Sequence, residues 1–349
     1  METAMEVMRD GVKEEGIRRA GEILKRGGLV AFPTETVYGL GANALDEAAS
    51  AKIYSAKGRP SDNPLIVHIA DWDAIYRIAE EVPAQAKMLA DAFWPGPLTM
   101  ILKKSSQVPL GTTGGLDTVA VRMPANEVAR ELIRAGGGYV AAPSANTSGR
   151  PSPTTAQHVA QDMNGVIDMI IDGGDADIGL ESTIVDLTEH IPTILRPGYI
   201  NKDMLEAVVG RAEMDKGLIS DNADIRPKAP GMKYRHYAPK AQLFIVEGEM
   251  ERVREKINEL TAQHLQSGER VGVIGTDESA SCYRNGIVKS IGSRQDENSI
   301  AHHLYGILRE FDEMDVTVIY SESFDTPQMG QAIMNRLIKA AGHQIIPAQ

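Results

Sequence analysis

Residues 118–143 read TVAVRMPANEVARELIRAGGGYVAAP. TVAVRM (118–123) and YVAAP (139–143) have the branched, apolar character of strands, and a helical pattern near 125–135 separates them. Strand, helix and strand in so short a span is the repeating unit of an α/β fold. Working outward, LVAFPT (29–34), PLIVHI (64–69), LTMILKK (98–104), VIDMIID (166–172) and STIVDL (182–187) read as further strands, with helical patterns near 46–56, 83–93 and 154–163. Ile17, Ala20, Ile23 and Leu24 recur at helical spacing and end in Gly27-Gly28, so a helix precedes the first strand. Some strands are too close in sequence for a helical crossover, which predicts a mixed sheet. Ser152 and Pro153 read as the N-cap and first residue of a helix, and NKDMLEAVVG (201–210) closes the domain.

At 349 residues the chain exceeds one comfortable hydrophobic core, and the usual domain size of roughly 100–200 residues predicts two. Residues 211–240 lose the apolar period and are broken by Pro227, Pro230, Gly231 and Pro239, the mark of a linker or lid. Beyond them QLFIVEG, a helical stretch through 249–266, RVGVIGT, a helix around 297–313, DVTVIYS and a helix around 328–341 alternate as a smaller Rossmann-like unit. VGVIGT lacks the G-x-G-x-x-G fingerprint, so no dinucleotide site is assigned there. The expected division is 1–210, a linker 211–240, and 241–349.

A chain 42% hydrophobic and 24% charged is neither disordered nor fibrous. Its net charge of −12 repels polyanions, so any anion site must be built locally. The single cysteine, Cys282, excludes a disulfide framework and a multi-cysteine metal site and fits a reducing compartment. METAMEVMRDG has no basic segment leading into an apolar core, and no stretch approaches the ~18 apolar residues of a membrane span. A soluble cytoplasmic protein is expected.

The chemistry-bearing residues gather at strand ends. KGRPSDNP (57–64) sets Lys57 and Arg59 one residue apart before a turn, and in the strand that follows Ile66 and His68 share one face against Leu65, Val67 and Ile69. Paired cations ahead of a turn are usually solvated surface, and a lone strand histidine is more often structural than a ligand. The same parity puts Arg122 beside Ala120 in an apolar strand; it needs an anion, and a structural carboxylate or a bound ligand would serve equally. APSANTSGRPSP (142–153) ends a strand in hydroxyls, an amide and glycine before a helix, a setting that suits phosphate, although an ordinary turn is the commoner meaning of such a composition. FPTETVYGLGANA (32–44) carries Thr34, Thr36 and Tyr38 at one parity, and ESTIVDL and ILRPG add Ser182 and Arg196. G-x-S-x-G, Walker A, H-E-x-x-H and C-x-x-C motifs are absent, which leaves binding of a phosphorylated substrate and catalysis by position and charge.

Lys57-x-Arg59 with Ser144-x-Asn146, set among FPTETVYGLGANA, NPLIVHI, WPGPLT, GLDTVAVRMP, APSAN and ESTIVDL, resembles the YrdC/Sua5 family of L-threonylcarbamoyladenylate synthases. The resemblance is dense over about residues 15–200 and continues through APGMKYRHYAP and AIMNRL, as in the long Sua5 form. It implies a twisted mixed-sheet catalytic domain with an open cavity, a linker across the cavity mouth, and a smaller Rossmann-like second domain. It further implies ATP-dependent joining of L-threonine and bicarbonate, adenylylation with loss of pyrophosphate, Mg²⁺ accompanying ATP, and hand-off to a transferase complex that modifies adenosine 37 of ANN-decoding tRNAs. On this resemblance Lys57, Arg59, Ser144 and Asn146 form the catalytic signature, and Asn63, Thr118, Ser152, Arg196 and Tyr234 join them around the nucleotide. Thr34, Thr36, His68, Arg122, Ala142 and Ser182 fall on the threonine side. Competing readings are an RNA-binding protein with a basic concave surface, and a carbamoyltransferase with another acceptor.

Overall fold

The computed structural model describes residues 2–218, 229, 236–324 and 328–349. By contact the chain divides into two units: 1–148, 152–177 and 181–234 in the first, and 149–151, 178–180 and 235–349 in the second.

In the first unit the elements run β1 (Ala4–Val7), α1 (Glu14–Lys25), β2 (Val30–Phe32), β3 (Gly39–Asn43), α2 (Glu47–Lys57), β4 (Ile66–His68), α3 (Ile75–Ile78), α4 (Ala84–Phe93), β5 (Leu98–Lys103), β6 (Thr118–Arg122), α5 (Glu127–Ala135), β7 (Val140–Ala141), α6 (Ala156–Met163), β8 (Met169–Asp172), β9 (Thr183–Asp186), β10 (Thr193–Arg196), α7 (Lys202–Val209) and β11 (Glu213–Met214). The strands form one mixed sheet in the order β1-β8-β2-β3-β7-β4-β6-β5-β9-β10-β11. Strands with little chain between them, such as β2 and β3 or β9 and β10, pair antiparallel, as loop length requires.

Parity distributes the sheet's side chains between two cores. Val67, Val121, Met100 and Val185 face one way and pack with Ala49 and Ile53 of α2, Leu89 of α4, Val159 of α6 and Leu205 of α7. On the opposite face Val30, Phe32, Val140 and Met169 pack with Ile17 and Leu24 of α1 and Leu132 and Ile133 of α5. A fully buried leucine such as Leu24 or Leu132 contributes about 2 kcal/mol. Gly21 lets α1 approach α5, because a Cβ there would lie 2.7 Å from Ala135. Those two helices cover only part of their face. Farther along it Ile66, Ile101, Ala120, Ile184 and Leu195 form a small apolar floor that, among the described residues, includes none from a helix, and its sixth member is Ala229. Ala229 is the one described residue between 219 and 235, and it is fully buried.

One expectation changes here. The helix after the APSAN turn starts at Ala156, and Thr155 caps it by accepting from the His158 N–H; Ser152 and Pro153 precede that start. Ser152 donates instead to a distant partner, Glu181 Oε1, at 2.5 Å.

The second unit holds β12 (Gln242–Gly248), α8 (Met250–Gln266), β13 (Val271–Gly275), β14 (Ile287–Ser290), α9 (Glu297–Glu313), β15 (Val318–Glu322), α10 (Gly330–Ala340) and β16 (Ile345–Ala348). Its strands are all parallel in the order β14-β13-β15-β12-β16, with α8 packed on β12, β13 and β15. After VGVIG the chain enters a 3-10 turn at Ala280–Cys282, so the phosphate-binding helix of a dinucleotide fold does not follow this strand. Among the described residues no helix is long and apolar enough to cross a membrane.

Candidate active site

Helix α2 brings the first cation inward. Asp46 caps its start by accepting from Ala48 N and Ala49 N, and Gly58 at φ 60° ends it in the left-handed conformation that glycine adopts without strain. Lys57 is thus the last helical residue rather than part of a solvated loop, and it is 2% exposed, against 9% for Arg59 and 4% for Arg122. A buried ammonium requires acceptors. Lys57 Nζ donates to the Ser144 carbonyl at 2.5 Å and to the Asn146 carbonyl, while its own carbonyl accepts from Ser148 N at 2.8 Å. Residues almost ninety positions apart are therefore stitched together, and Ser144 Oγ donates to Asn146 Oδ1 at 2.5 Å within the same turn. Arg59 folds over its own loop: Nη2 donates to Asn63 Oδ1 at 2.6 Å and to Pro64 O at 3.0 Å, and Nε to Asn63 O at 3.2 Å.

A second cluster lies where β4 and β6 run side by side with His68 opposite Arg122 and Ile66 opposite Ala120, the faces assigned by parity. Arg122 finds a structural carboxylate, since Nη2 donates to Glu35 Oε1 at 2.6 Å, both groups buried. Its Nη1 donates to Thr36 Oγ1 at 2.8 Å and its Nε reaches the Gly96 carbonyl at 3.4 Å. A guanidinium has five N–H donors, so one remains on each terminal nitrogen for a ligand.

The hydroxyls beside it have a forced polarity. Thr34 Oγ1 donates to the Val37 carbonyl at 2.6 Å, which can only accept. Thr34 therefore receives the proton of Thr36, 2.9 Å away, and Thr36 receives that of Arg122. Thr34 also accepts from the backbone N–H groups of Thr36 and Val37. Thr36 thus faces a ligand as an acceptor only, and Thr34 acts through Thr36.

His68 also faces carbonyls. Its Nδ1 lies 3.1 Å from that of Ile66, and the Val140 carbonyl is a second acceptor beside the ring. Burial first, and then the nearby Arg122 charge, push its pKa down to about 3 from 6.5. The imidazole is neutral at physiological pH. Because the unfolded state takes up the proton near 6.5 and the folded state near 3, stability falls as pH drops through that window, by up to about 1.4 kcal/mol per pH unit from this group. His68→Asn should flatten the melting temperature between those limits; an unchanged profile would show that His68 does not titrate this way.

Ala142, whose N–H donates to Ile66 O at 2.8 Å, borders this cluster. Beyond the floor, Ser182 Oγ lies 2.8 Å from Thr99 Oγ1 and accepts from Arg196 Nη2 at 3.2 Å, while Arg196 Nε donates to Ser182 O at 3.0 Å. The structure thus joins Lys57 to Ser144 and Asn146, Arg59 to Asn63, Arg122 to Thr36, and Arg196 to Ser182. Thr118 lies at the start of β6, opposite Lys103 and at the same parity as Ala120 and Arg122. Tyr234 lies outside the described residues. Glu35, Thr99 and Glu181 are additions that sequence reasoning missed; the signal for Glu35 was an arginine inside an apolar strand, which had to have an anion. Among the described residues no three His, Cys, Asp or Glu side chains converge as a metal cage.

Residues 22–198 match the Sua5/YciO/YrdC family model, described as telomere recombination, and residues 200–342 match the threonylcarbamoyl-AMP synthase C-terminal domain. A threonylcarbamoyl-AMP synthase of Pyrococcus abyssi is 51% identical over 339 residues, 97% of this chain and 98% of that one. Its counterpart in Bacillus subtilis is 51% identical over 331 residues, 95% and 94% of the two chains. The crystal structure of P. abyssi Sua5 complexed with L-threonine superposes with a TM-score of 0.94 at 49% identity, covering 99% of this chain and 100% of that one. Fold and relatives together define a two-domain enzyme of the nucleotidyltransferase type. The chain belongs to the Sua5/YrdC family, in its long form.

Proposed function

We propose that this enzyme makes L-threonylcarbamoyl-AMP from L-threonine, bicarbonate and ATP, releasing pyrophosphate, and that the product serves threonylcarbamoyl transfer to adenosine 37 of ANN-decoding tRNAs. The observation that carries the reading is the Arg122 site. A buried guanidinium with one N–H left on each terminal nitrogen matches an amino-acid carboxylate. Beside it Thr36 Oγ1 offers a lone pair, which suits the amine of threonine, and the neutral His68 imidazole lies on the same face of the sheet. His68 so depressed is a weak base, and its role is orientation rather than proton removal.

In the reaction the threonine nitrogen bonds to the bicarbonate-derived carbon with loss of water, a carbamate oxygen then attacks the α-phosphorus, and the bond to pyrophosphate breaks. Charge develops on the phosphates, which the reading assigns to Lys57, Arg59, Ser144 and Asn146, with Asn63, Thr118, Ser152 and Arg196 around the nucleotide. Magnesium would come with ATP and would help offset the charge on its phosphates. Threonylcarbamate is labile in water. The reading therefore calls for water to be kept from the site while the intermediate exists.

Purified protein given ATP, Mg²⁺ and bicarbonate should release pyrophosphate only when L-threonine is added. Release at the same rate without threonine would contradict the reading.

A further inference from the structure

Glu35 lies in the turn between β2 and β3, buried, with both carboxylate oxygens hydrogen-bonded. Oε1 accepts from Arg122 Nη2 at 2.6 Å and Oε2 from the Ala125 backbone N–H at 3.1 Å. One side chain thereby joins the β2–β3 turn, the last residue of β6 and the turn that leads into α5. Its neighbour Thr36 holds the other terminal nitrogen of the same guanidinium at 2.8 Å. A planar group gripped at both terminal nitrogens by consecutive residues of one turn has its orientation set, not merely its charge balanced.

We propose that Glu35 is a positioning residue that aims the remaining Arg122 N–H groups at the substrate carboxylate; this rests on the reading of Arg122 given above. Two other roles fit the contacts less well. A general base works through an oxygen aimed at the substrate, whereas the two oxygens of Glu35 lie against Arg122 and Ala125. A plain counter-charge acts over several ångströms and has no need to bridge Arg122 to Ala125. Glutamine in its place has one acceptor oxygen and an NH₂ that must oppose either Arg122 or Ala125, so it cannot hold both.

The test pairs two ligands with two proteins. Binding of L-threonine and of L-threonine amide, which lacks the carboxylate charge, is measured by calorimetry for the unaltered enzyme and for Glu35→Gln. The unaltered enzyme should prefer threonine by about a hundredfold, and Glu35→Gln should reduce that preference about tenfold with ATP affinity retained. A purely structural role predicts that both ligands weaken alike at an unchanged ratio, and that result overturns the proposal. A ratio near one in the unaltered enzyme overturns the reading of Arg122 itself, and the proposal with it. Should Glu35→Gln fail to fold, Glu35→Asp, which keeps both acceptor oxygens but shortens their reach, carries the same comparison; an unchanged ratio there also overturns the proposal.

Discussion

Arg122→Ala is expected to destabilise the first unit by about 3–5 kcal/mol, because it leaves a buried carboxylate without its cation. The Glu35 side chain is 9% exposed and would keep only the Ala125 N–H as partner. Trp72 and Trp94, the only tryptophans in the chain, both lie in the first unit, so their fluorescence in a urea titration reports its unfolding. Arg122→Ala combined with Glu35→Gln removes the stranded charge and should recover part of the loss, while threonine binding remains abolished. If the double variant is no more stable than the single one, the pair is not the coupled unit the contacts indicate. If either variant binds threonine normally, Arg122 is not the carboxylate receptor.

Lys57→Met should reduce kcat for pyrophosphate release by about 10²–10³, the loss typical of deleting one preorganised electrostatic donor, with threonine affinity little changed. The structural part of the effect is separable. Lys57 Nζ serves the carbonyls of Ser144 and Asn146, and losing a buried donor costs about 1–3 kcal/mol. Lys57→Arg should not restore the rate, since a planar fork cannot replace a compact ammonium at the end of α2. Full activity in Lys57→Met would remove this residue from the nucleotide site.

The α/β alternation and the mixed sheet in this protein were readable because strand parity and helical period leave local marks. What was not readable depended on partners far away in the chain. Strand β3, GLGAN, carries glycines that look like a turn, yet a Cβ at Gly41 would lie 2.9 Å from Val140; the glycine is there for close strand packing. Ser152 and Thr155 are both cap residues by type; the helix uses Thr155, while Ser152 donates to the Glu181 carboxylate far along the chain. The parity of His68 and Arg122 was local and is reproduced in the register of β4 and β6. Lys57 looked like solvated surface because nothing near it in sequence accepts its protons; the acceptors are the carbonyls of residues 144 and 146. Glu35 stayed hidden between two threonines for the same reason, its partners being Arg122 and Ala125.

The central claim is that threonine, a bicarbonate-derived carbon and the adenylate of ATP are joined at one site. Mass spectrometry of the nucleotide product formed from isotopically labelled bicarbonate tests it most directly. The account predicts an adenylate that contains both threonine and the labelled carbon and that appears only when all three substrates are present. An adenylate of threonine without the labelled carbon, or ATP consumption indifferent to threonine, would contradict it.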